Sequence, residues 1–159
     1  MRVEQIMTCP TVVGPNATIL SVAKLMHEND VGAVLIQDAD LLCGIATDRD
    51  IAKHVSFDQE APLLRPVAEI MSPQPFTCHK DMKIAQAAHI MADHQVRRLP
   101  VLDDFDHLVG LLTIDDIAEN FSEHLAGETL GEVVDKHLRR PLRSEQPFPN
   151  KAKYPVPNP

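Results

Sequence analysis

Apolar and polar positions follow the same order twice along the chain. In each half, short apolar runs of strand length are separated by polar segments rich in aspartate or proline. Short apolar runs bounded by turn residues are typical of buried strands. The runs that predict strands are 11–13, 33–36 and 41–46 in the first half and 76–77, 99–102 and 108–112 in the second half.

Helices are predicted between and after these strands. Apolar residues recur at helical spacing over 19–26 in the first half and over 84–91 in the second half. Asn16 is the expected N-cap of the first of these helices. A further helix is expected to begin near Thr47 and another near Thr113, with the threonine as the N-cap in both cases. Each half therefore has the predicted order β-α-β-β-α.

The shared order of elements reflects an internal repeat. Residues 6–8 (Ile-Met-Thr) recur as 70–72 (Ile-Met-Ser), and residues 44–52 recur as 110–118, so the shift grows only from 64 to 66 residues. Chance matches would not keep one order with so little drift. The predicted fold class is α/β (α+β), with the two units packed by pseudo-two-fold symmetry.

The repeat also predicts the domain organisation. The two units are expected to span residues 3–58 and 67–126, and they should share a core because a unit of about 55 residues buries too little surface alone. Residues 127–159 form a C-terminal extension, of which 128–138 are compatible with a short helix. Six of the 13 prolines lie in the last 19 residues, so the chain is expected to be extended and mobile from about residue 139.

The net charge of −8 is unevenly distributed along the 159 residues. Residues 1–135 hold 9 Lys and Arg against 22 Asp and Glu, whereas residues 136–159 hold 6 against 1. An acidic body argues against nucleic-acid binding, because phosphate contacts need a clustered basic face. An anionic ligand would depend on a few local cations and on backbone N–H groups.

The expected location is the cytoplasm. No apolar run approaches the ~20 residues that a membrane span needs, and residues 1–11 lack the pattern of a signal peptide. Three cysteines without framework spacing favour a reducing compartment. We therefore expect a soluble protein that does not interact with membranes.

The clearest chemical signal is the pattern Gly-φ-φ-Thr-x-x-Asp, where φ is apolar, at residues 44–50 and 110–116. It predicts the end of a strand, a turn and the start of a helix, whose N–H groups suit a phosphate. The threonine hydroxyl can donate to phosphate, and the aspartate can accept from ribose hydroxyls. Alternatively, the threonine only caps the helix and the aspartate only interacts with its dipole. Two copies in register favour the ligand-binding interpretation.

The repeat and its motifs together resemble a known family. The Met-Thr and Met-Ser starts, the sequence Gly-Ile-Ala-Thr-Asp-Arg-Asp-Ile, and Val-Arg-Arg-Leu-Pro-Val followed by Gly-Leu-Leu-Thr-Ile-Asp-Asp-Ile are similar to a pair of CBS domains, the Bateman module, over about residues 3–126. The resemblance implies a regulatory module that binds adenosyl ligands in clefts between its repeats. These ligands are AMP, ADP or ATP and, in some members, S-adenosylmethionine or NAD. The resemblance also implies a homodimer.

The resemblance further implies which residues would bind the ligand. In a first cleft, Thr47 would contact phosphate and Asp50 the ribose, and in a second cleft Thr113 and Asp116 would take these roles. The residues implied near the adenine are Ser72, Thr77 and Val96 in the first cleft and Thr8, Val13 and Val31 in the second cleft.

Cations lie in the sequence where an acidic protein would need them for a phosphate. Arg49 lies in the first motif, and Arg97 and Arg98 match a basic pair that contacts phosphate in some relatives. The matching positions of the first repeat are Gly32 and Ala33, so the two clefts are not equivalent. Polyphosphate ligands are therefore expected to prefer the second cleft. Alternatively, each arginine pairs with surface carboxylates.

Other functions are less well supported by the sequence. No CxxC, HExxH or carboxylate cluster predicts a metal site, and no acid–base pair or nucleophile predicts an enzyme. The main alternative to a nucleotide sensor is a dimerising structural module that needs no ligand. The sequence does not name the regulated partner protein or choose among the adenosyl ligands.

Overall fold

The computed structural model of the protein describes residues 1–57 and 62–138. The Pro-rich segment that was expected to be mobile, from residue 139 onward, lies outside the described residues. Within the described part, no helix combines the length and apolar character needed to cross a bilayer.

The first sheet has four strands in the order β1-β2-β3-β4. Strand β1 runs parallel to β2, whereas β2, β3 and β4 are antiparallel neighbours. The elements around this sheet are β1 (Val12–Val13), α1 (Ile19–Glu28), β2 (Ala33–Asp38), β3 (Leu41–Thr47), α2 (Asp48–Phe57) and β4 (Ser72–Pro73).

The second sheet has three strands in the order β5-β6-β7 and repeats this arrangement. Strand β5 is parallel to β6, and β6 is antiparallel to β7. Its elements are β5 (Cys78–His79), α3 (Ile84–His94), β6 (Arg98–Leu102), β7 (Leu108–Thr113), α4 (Ile114–Asn120) and α5 (Glu123–Leu138). The mixed α/β fold with two related sheets confirms the predicted fold class.

The segment that precedes each sheet packs on the other repeat. Val3 and Ile6 are buried with the second repeat's core, and Val67 is buried with the first repeat's core. The backbone follows the same exchange, because the Val3 N–H donates to the Met82 carbonyl at 2.9 Å. The Val67 N–H likewise donates to the Ala17 carbonyl at 2.8 Å. Removing either segment would therefore expose the core of the neighbouring repeat.

The same exchange extends the sheets. Thr8 bridges to Leu111 on β7, and Ser72 on β4 pairs with Ile45 on β3. These segments look like turns in the sequence because of their prolines. The structure instead uses Ser72–Pro73 as a short edge strand and Thr8 as a single bridge to β7. Proline is tolerated at an edge because its missing N–H faces away from the sheet.

Two local predictions were wrong. The N-cap of α1 is Thr18, whose hydroxyl accepts from the Ser21 N–H at 3.2 Å, and not Asn16. The strand expected at 76–77 is displaced to Cys78–His79. Pro100 explains this displacement, because it has no N–H with which β6 could pair one residue earlier.

Helix α5 covers one face of the second repeat. It packs against α3 and α4 and buries Ala126, Thr129 and Val133. The helix expected at 128–138 therefore begins earlier, at Glu123, after Ser122 accepts from the Leu125 N–H at 3.2 Å. A 16-residue helix thus packs on both α3 and α4.

Candidate functional site

Both copies of the motif fold in the same way, with the threonine and aspartate bonded to each other. The Thr47 hydroxyl donates to Asp50 Oδ2 at 2.7 Å, and the Thr47 N–H donates to the same oxygen at 2.9 Å. The corresponding distances for Thr113 and Asp116 are 2.7 and 2.8 Å. In return, the Asp116 N–H donates to the Thr113 hydroxyl at 3.1 Å. The motif is a reciprocal helix cap that occupies Oδ2 of the aspartate and does not require Oδ1.

The glycine that starts each motif gives room to a methionine from the other repeat. A Cβ on Gly44 would lie 2.9 Å from Met71 Cγ and 3.0 Å from the Ser72 carbonyl oxygen. A Cβ on Gly110 would lie 3.0 Å from Met7 Cγ. The glycine is therefore needed because the exchanged segment crosses the strand there, which places Thr8 and Ser72 beside the two motifs.

The second cleft is an open cavity of about 180 Å³ between the repeats. This volume is smaller than the roughly 300–1,000 Å³ of pockets that enclose a drug-sized ligand, so part of a nucleotide would extend over the rim. Its lining comprises Thr8, Cys9, Thr11, Val31, Gly32 and Ala33 from the first repeat and Arg98, Leu111, Thr113, Asp115 and Asp116 from the second repeat.

Arg98 reaches across this cleft to the first repeat. Its Nη2 lies 3.3 Å from the position that a Cβ on Gly32 would occupy, and Asp48 Oδ2 lies 3.6 Å from the same position. A side chain at Gly32 would therefore displace the guanidinium. The cleft holds one arginine close to Thr113 and the N-terminus of α4, an arrangement suited to an anionic group.

The second cleft brings together most of the residues predicted for it. Thr8, Val31, Arg98, Thr113 and Asp116 all line the cavity. Gly32 and Ala33 line it as well, although the sequence analysis set them against Arg97 and Arg98 as the matching positions of the other cleft. Val13 lies outside this lining and packs against the core of the first repeat. Arg97 also lies outside it and is exposed. Sequence reasoning missed Cys9, Thr11, Leu111 and Asp115, although Asp115 was visible as the residue that replaces Arg49 in the second motif.

The backbone hydrogen bonds at the start of α2 match those at the start of α4. The Asp48 N–H donates to the Gly32 carbonyl at 3.3 Å, as the Ile114 N–H donates to the Arg97 carbonyl at 3.1 Å. Arg97 is therefore the structural counterpart of Gly32, which lines the second cleft. The relation places Arg97 on the first cleft's side of the molecule, in contrast to the sequence-based assignment.

The other residues predicted for the first cleft occupy matching positions. The N–H groups of Val31 and Val96 donate to the preceding helix at 2.9 and 3.0 Å, respectively. Ser72 occupies the position of Thr8, and Arg49 is exposed in the first turn of α2. Thr77 is half-buried directly before β5.

Two further groups of side chains have ordinary structural explanations. One ligand atom each from His79, Asp81 and Asp104 lies within 4.8 Å of the others. Lys80 Nζ lies 3.4 Å from Asp104 and Arg2 Nη1 lies 3.0 Å from Asp81, so both carboxylates are in ion pairs. Burial raises the pKa of the Cys78 thiol to about 12, so this thiol stays protonated at neutral pH and is a poor nucleophile.

Comparisons with known proteins agree with this architecture. The sequence model of the CBS domain matches residues 3–56 and 67–123. The CBS domain-containing protein YhcV of Bacillus subtilis is 36% identical over 127 residues, which cover 79% of this chain and 89% of the relative.

Two solved structures are similar along most of their length. The CBS domain pair of protein MJ0100, in complex with 5′-methylthioadenosine and S-adenosyl-L-methionine, has a TM-score of 0.69 and 28% identity, covering 78% of this chain and 98% of that chain. CBS domain protein PAE2072 from Pyrobaculum aerophilum, complexed with AMP, has a TM-score of 0.70 and 25% identity, covering 81% and 98%. The interleaved repeats and the duplicated motif define a tandem domain pair. This chain belongs to the CBS domain family.

Proposed function

We propose that this protein is a regulatory sensor that binds an adenosyl nucleotide between its two repeats and transmits the bound state to a partner protein. The candidate ligands are AMP, ADP and ATP, with S-adenosylmethionine or NAD as further members of the same chemical class. The observation that carries the proposal is the second cleft, where Arg98, Thr113 and Asp116 meet residues of the first repeat. The complexes of MJ0100 and PAE2072 with adenosyl compounds support the choice of ligand class.

The chemistry of the cleft suits the parts of a nucleotide. The N-terminus of α4 and Arg98 favour a phosphate, since N–H groups and a guanidinium both donate to anionic oxygens. Oδ1 of Asp116 is not used by the helix cap and would accept from ribose hydroxyls. Because the ligand would contact both repeats, binding would change how tightly they are held together, and this is the proposed signal.

Binding is expected to stabilise the fold. At a ligand concentration of 100 times the Kd, linkage contributes about 2.7 kcal/mol per site. For a chain of this size, that corresponds to a rise in melting temperature of roughly 5–11 °C. The measurement is a thermal-shift and calorimetric panel of AMP, ADP, ATP, NAD and S-adenosylmethionine, with protein first shown by its absorbance spectrum to be free of co-purified nucleotide.

The role of the two aspartates is tested with a double variant that combines Asp50→Asn and Asp116→Asn. Asparagine keeps a side-chain oxygen that can accept both threonine donors, so the helix caps persist, but the negative charge that would bind the ribose is lost. We expect the unliganded melting temperature to change little and the ligand-induced shift to fall sharply. A nucleotide-free wild-type protein that responds to none of the five compounds would overturn the sensor proposal and favour a ligand-independent module.

The proposed assembly is a homodimer. Sedimentation velocity with and without the bound nucleotide would show whether the dimer exists and whether the ligand alters it. A dimer that forms equally well without any ligand, combined with a silent nucleotide panel, is the outcome that the structural-module alternative predicts.

A further inference from the structure

The walls of the two clefts differ at the position of Thr11. Thr11 lines the second cleft, and the pairing register identifies its counterpart in the first cleft. Val13 on β1 pairs with Ile36, and Cys78 on β5 pairs with Val101. Two residues before Val13 is Thr11, and two residues before Cys78 is Phe76.

The motif glycines show that this register is equivalent in the two sheets. Ile36 pairs with Gly44, and Val101 pairs with Gly110. In both sheets the pairing shifts directly after that residue. Since alternate residues of an extended segment lie on one face, Phe76 occupies the face that Thr11 occupies in the second cleft.

Phe76 is held in an aromatic pair. Its ring stacks on the imidazole of His94 with the ring centroids 3.7 Å apart and the planes inclined by 13°. Phe76 nevertheless remains 48% exposed. Because the imidazole covers one face of the ring, the exposed surface of Phe76 lies elsewhere than on that face.

The second cleft has no aromatic residue at either position. The counterpart of Phe76 is Thr11, and the counterpart of His94 is Asn29, since each lies two residues before the equivalent residues Val31 and Val96. The pair is therefore specific to the first cleft and does not follow from the shared fold.

The segment that leads from Ser72 to Phe76 is also one residue longer than the equivalent segment from Thr8 to Thr11. Three residues separate Phe76 from Ser72, and two separate Thr11 from Thr8. Gln74 has a positive φ of 48°, and its N–H donates to the Cys43 carbonyl at 3.2 Å. The additional residue is accommodated by a defined, hydrogen-bonded turn.

We propose that Phe76, supported by His94, forms a stacking platform for a planar heteroaromatic base in the first cleft. Phe76 is then the residue that gives this cleft its preference for the base of the ligand, and His94 is a positioning residue. The inference rests on the proposed function, because it takes the first cleft to be a nucleotide site. Aromatic side chains bind bases by their π-faces, and a ring already held by a neighbour loses little freedom on binding.

The chain allows a site-specific test, because it contains no tryptophan and Phe76→Trp would introduce one. We expect its fluorescence to be quenched by adenosine and by AMP but not by ribose 5-phosphate, which lacks the base. The matched control is Phe105→Trp, because Phe105 is 78% exposed near the β6–β7 turn and its ring centroid lies 6.1 Å from that of His107. None of the three compounds should quench this control.

Calorimetry on two other variants tests the energetic contribution. Phe76→Leu keeps an apolar side chain but removes the ring, and it should weaken adenosine binding at the first cleft by about 5- to 150-fold. Thr11→Phe should strengthen adenosine binding at the second cleft. The unliganded melting temperature of each variant serves as the check on folding.

The possible failures are distinguishable. If wild-type protein binds adenosyl ligands but Phe76→Leu binds adenosine equally well, or Phe76→Trp is not quenched, the stacking platform is overturned and the proposed function stands. If wild-type protein binds no adenosyl ligand, both proposals are overturned together.

Discussion

Asp115 and Thr11 line the second cleft, whereas the equivalent positions in the other repeats hold Arg49 and Phe76. Both clefts share the threonine–aspartate cap, with its distances matching to within 0.2 Å. The threonine and aspartate that form the helix cap are therefore the same in the two repeats, whereas other residues beside the cap differ. Differences in binding between the clefts should come from side chains that do not hold the fold.

The largest expected effect tests the exchange of segments between the repeats. Ile6→Ala removes a residue that is 8% exposed in the second repeat's core, and it should destabilise the protein by about 2–5 kcal/mol. Although Ile6 belongs to the first repeat in sequence, hydrogen exchange should show the loss of protection in the second repeat, in β6 and β7. Faster exchange confined to β2 and β3 would contradict the exchanged packing.

The corresponding change in the other repeat is Ile70→Ala. Ile70 is only partly buried against the first repeat's core, so the loss should be smaller than for Ile6→Ala and should appear in β2 and β3. Chemical denaturation of the two variants side by side compares the two cores directly.

The next effect concerns ligand binding. Asp116→Ala removes the proposed ribose acceptor, and losing a charge-assisted hydrogen bond should weaken binding at the second cleft by about 1.5–3 kcal/mol. The structure adds the loss of the helix cap, worth about 0.5–2 kcal/mol. Calorimetry and denaturation measure the two losses separately, and unchanged affinity would contradict the assignment of Asp116.

The motif glycines provide a third comparison. Gly44→Ala should destabilise by about 1–3 kcal/mol, because the new Cβ would meet the Ser72 carbonyl as well as Met71. Gly110→Ala meets only the side chain of Met7 among its three nearest atoms, so it should cost less. Met71→Ala in the Gly44→Ala background should recover part of the loss. Equal costs for both glycines would contradict the difference in their surroundings.

The sequence predicted the buried strands that are bounded by turns, because an apolar run and the turn residues on either side of it lie within a few neighbouring positions. It placed β2, β3, β6 and β7 within two residues of their observed ends. It did not predict the edge strand at Ser72–Pro73, since the pairing partner lies in the other repeat. It also misplaced β5, because the displacement depends on Pro100 in a strand more than 20 residues later.

The candidate site was predicted to a similar extent. The threonines and aspartates follow from the motif, because their spacing alone makes the helix cap. Phe76 and Thr11 could not be recognised, since their role depends on a register that differs by one residue between the repeats. Arg97 was assigned to the second cleft from its neighbour Arg98, but its carbonyl accepts from the N–H of Ile114, which makes it the counterpart of Gly32 in the other repeat.

The smallest expected effect concerns the charge of the second cleft. Arg98 lines it and favours phosphate, as the sequence indicated, but Asp115 lines it as well and opposes phosphate. Asp115 is exposed, so its repulsion is screened by water and should amount to about 0.2–1 kcal/mol. We therefore expect Asp115→Asn to strengthen ATP binding slightly at this cleft and to leave adenosine binding unchanged. Arg98→Ala is the control of opposite sign, since it should weaken ATP binding more than adenosine binding. Calorimetry at low and high salt distinguishes a charge effect from a change in shape, because only the charge effect diminishes as salt is raised. An Asp115→Asn variant that gains equally for ATP and adenosine would show that Asp115 acts through packing and not through its charge.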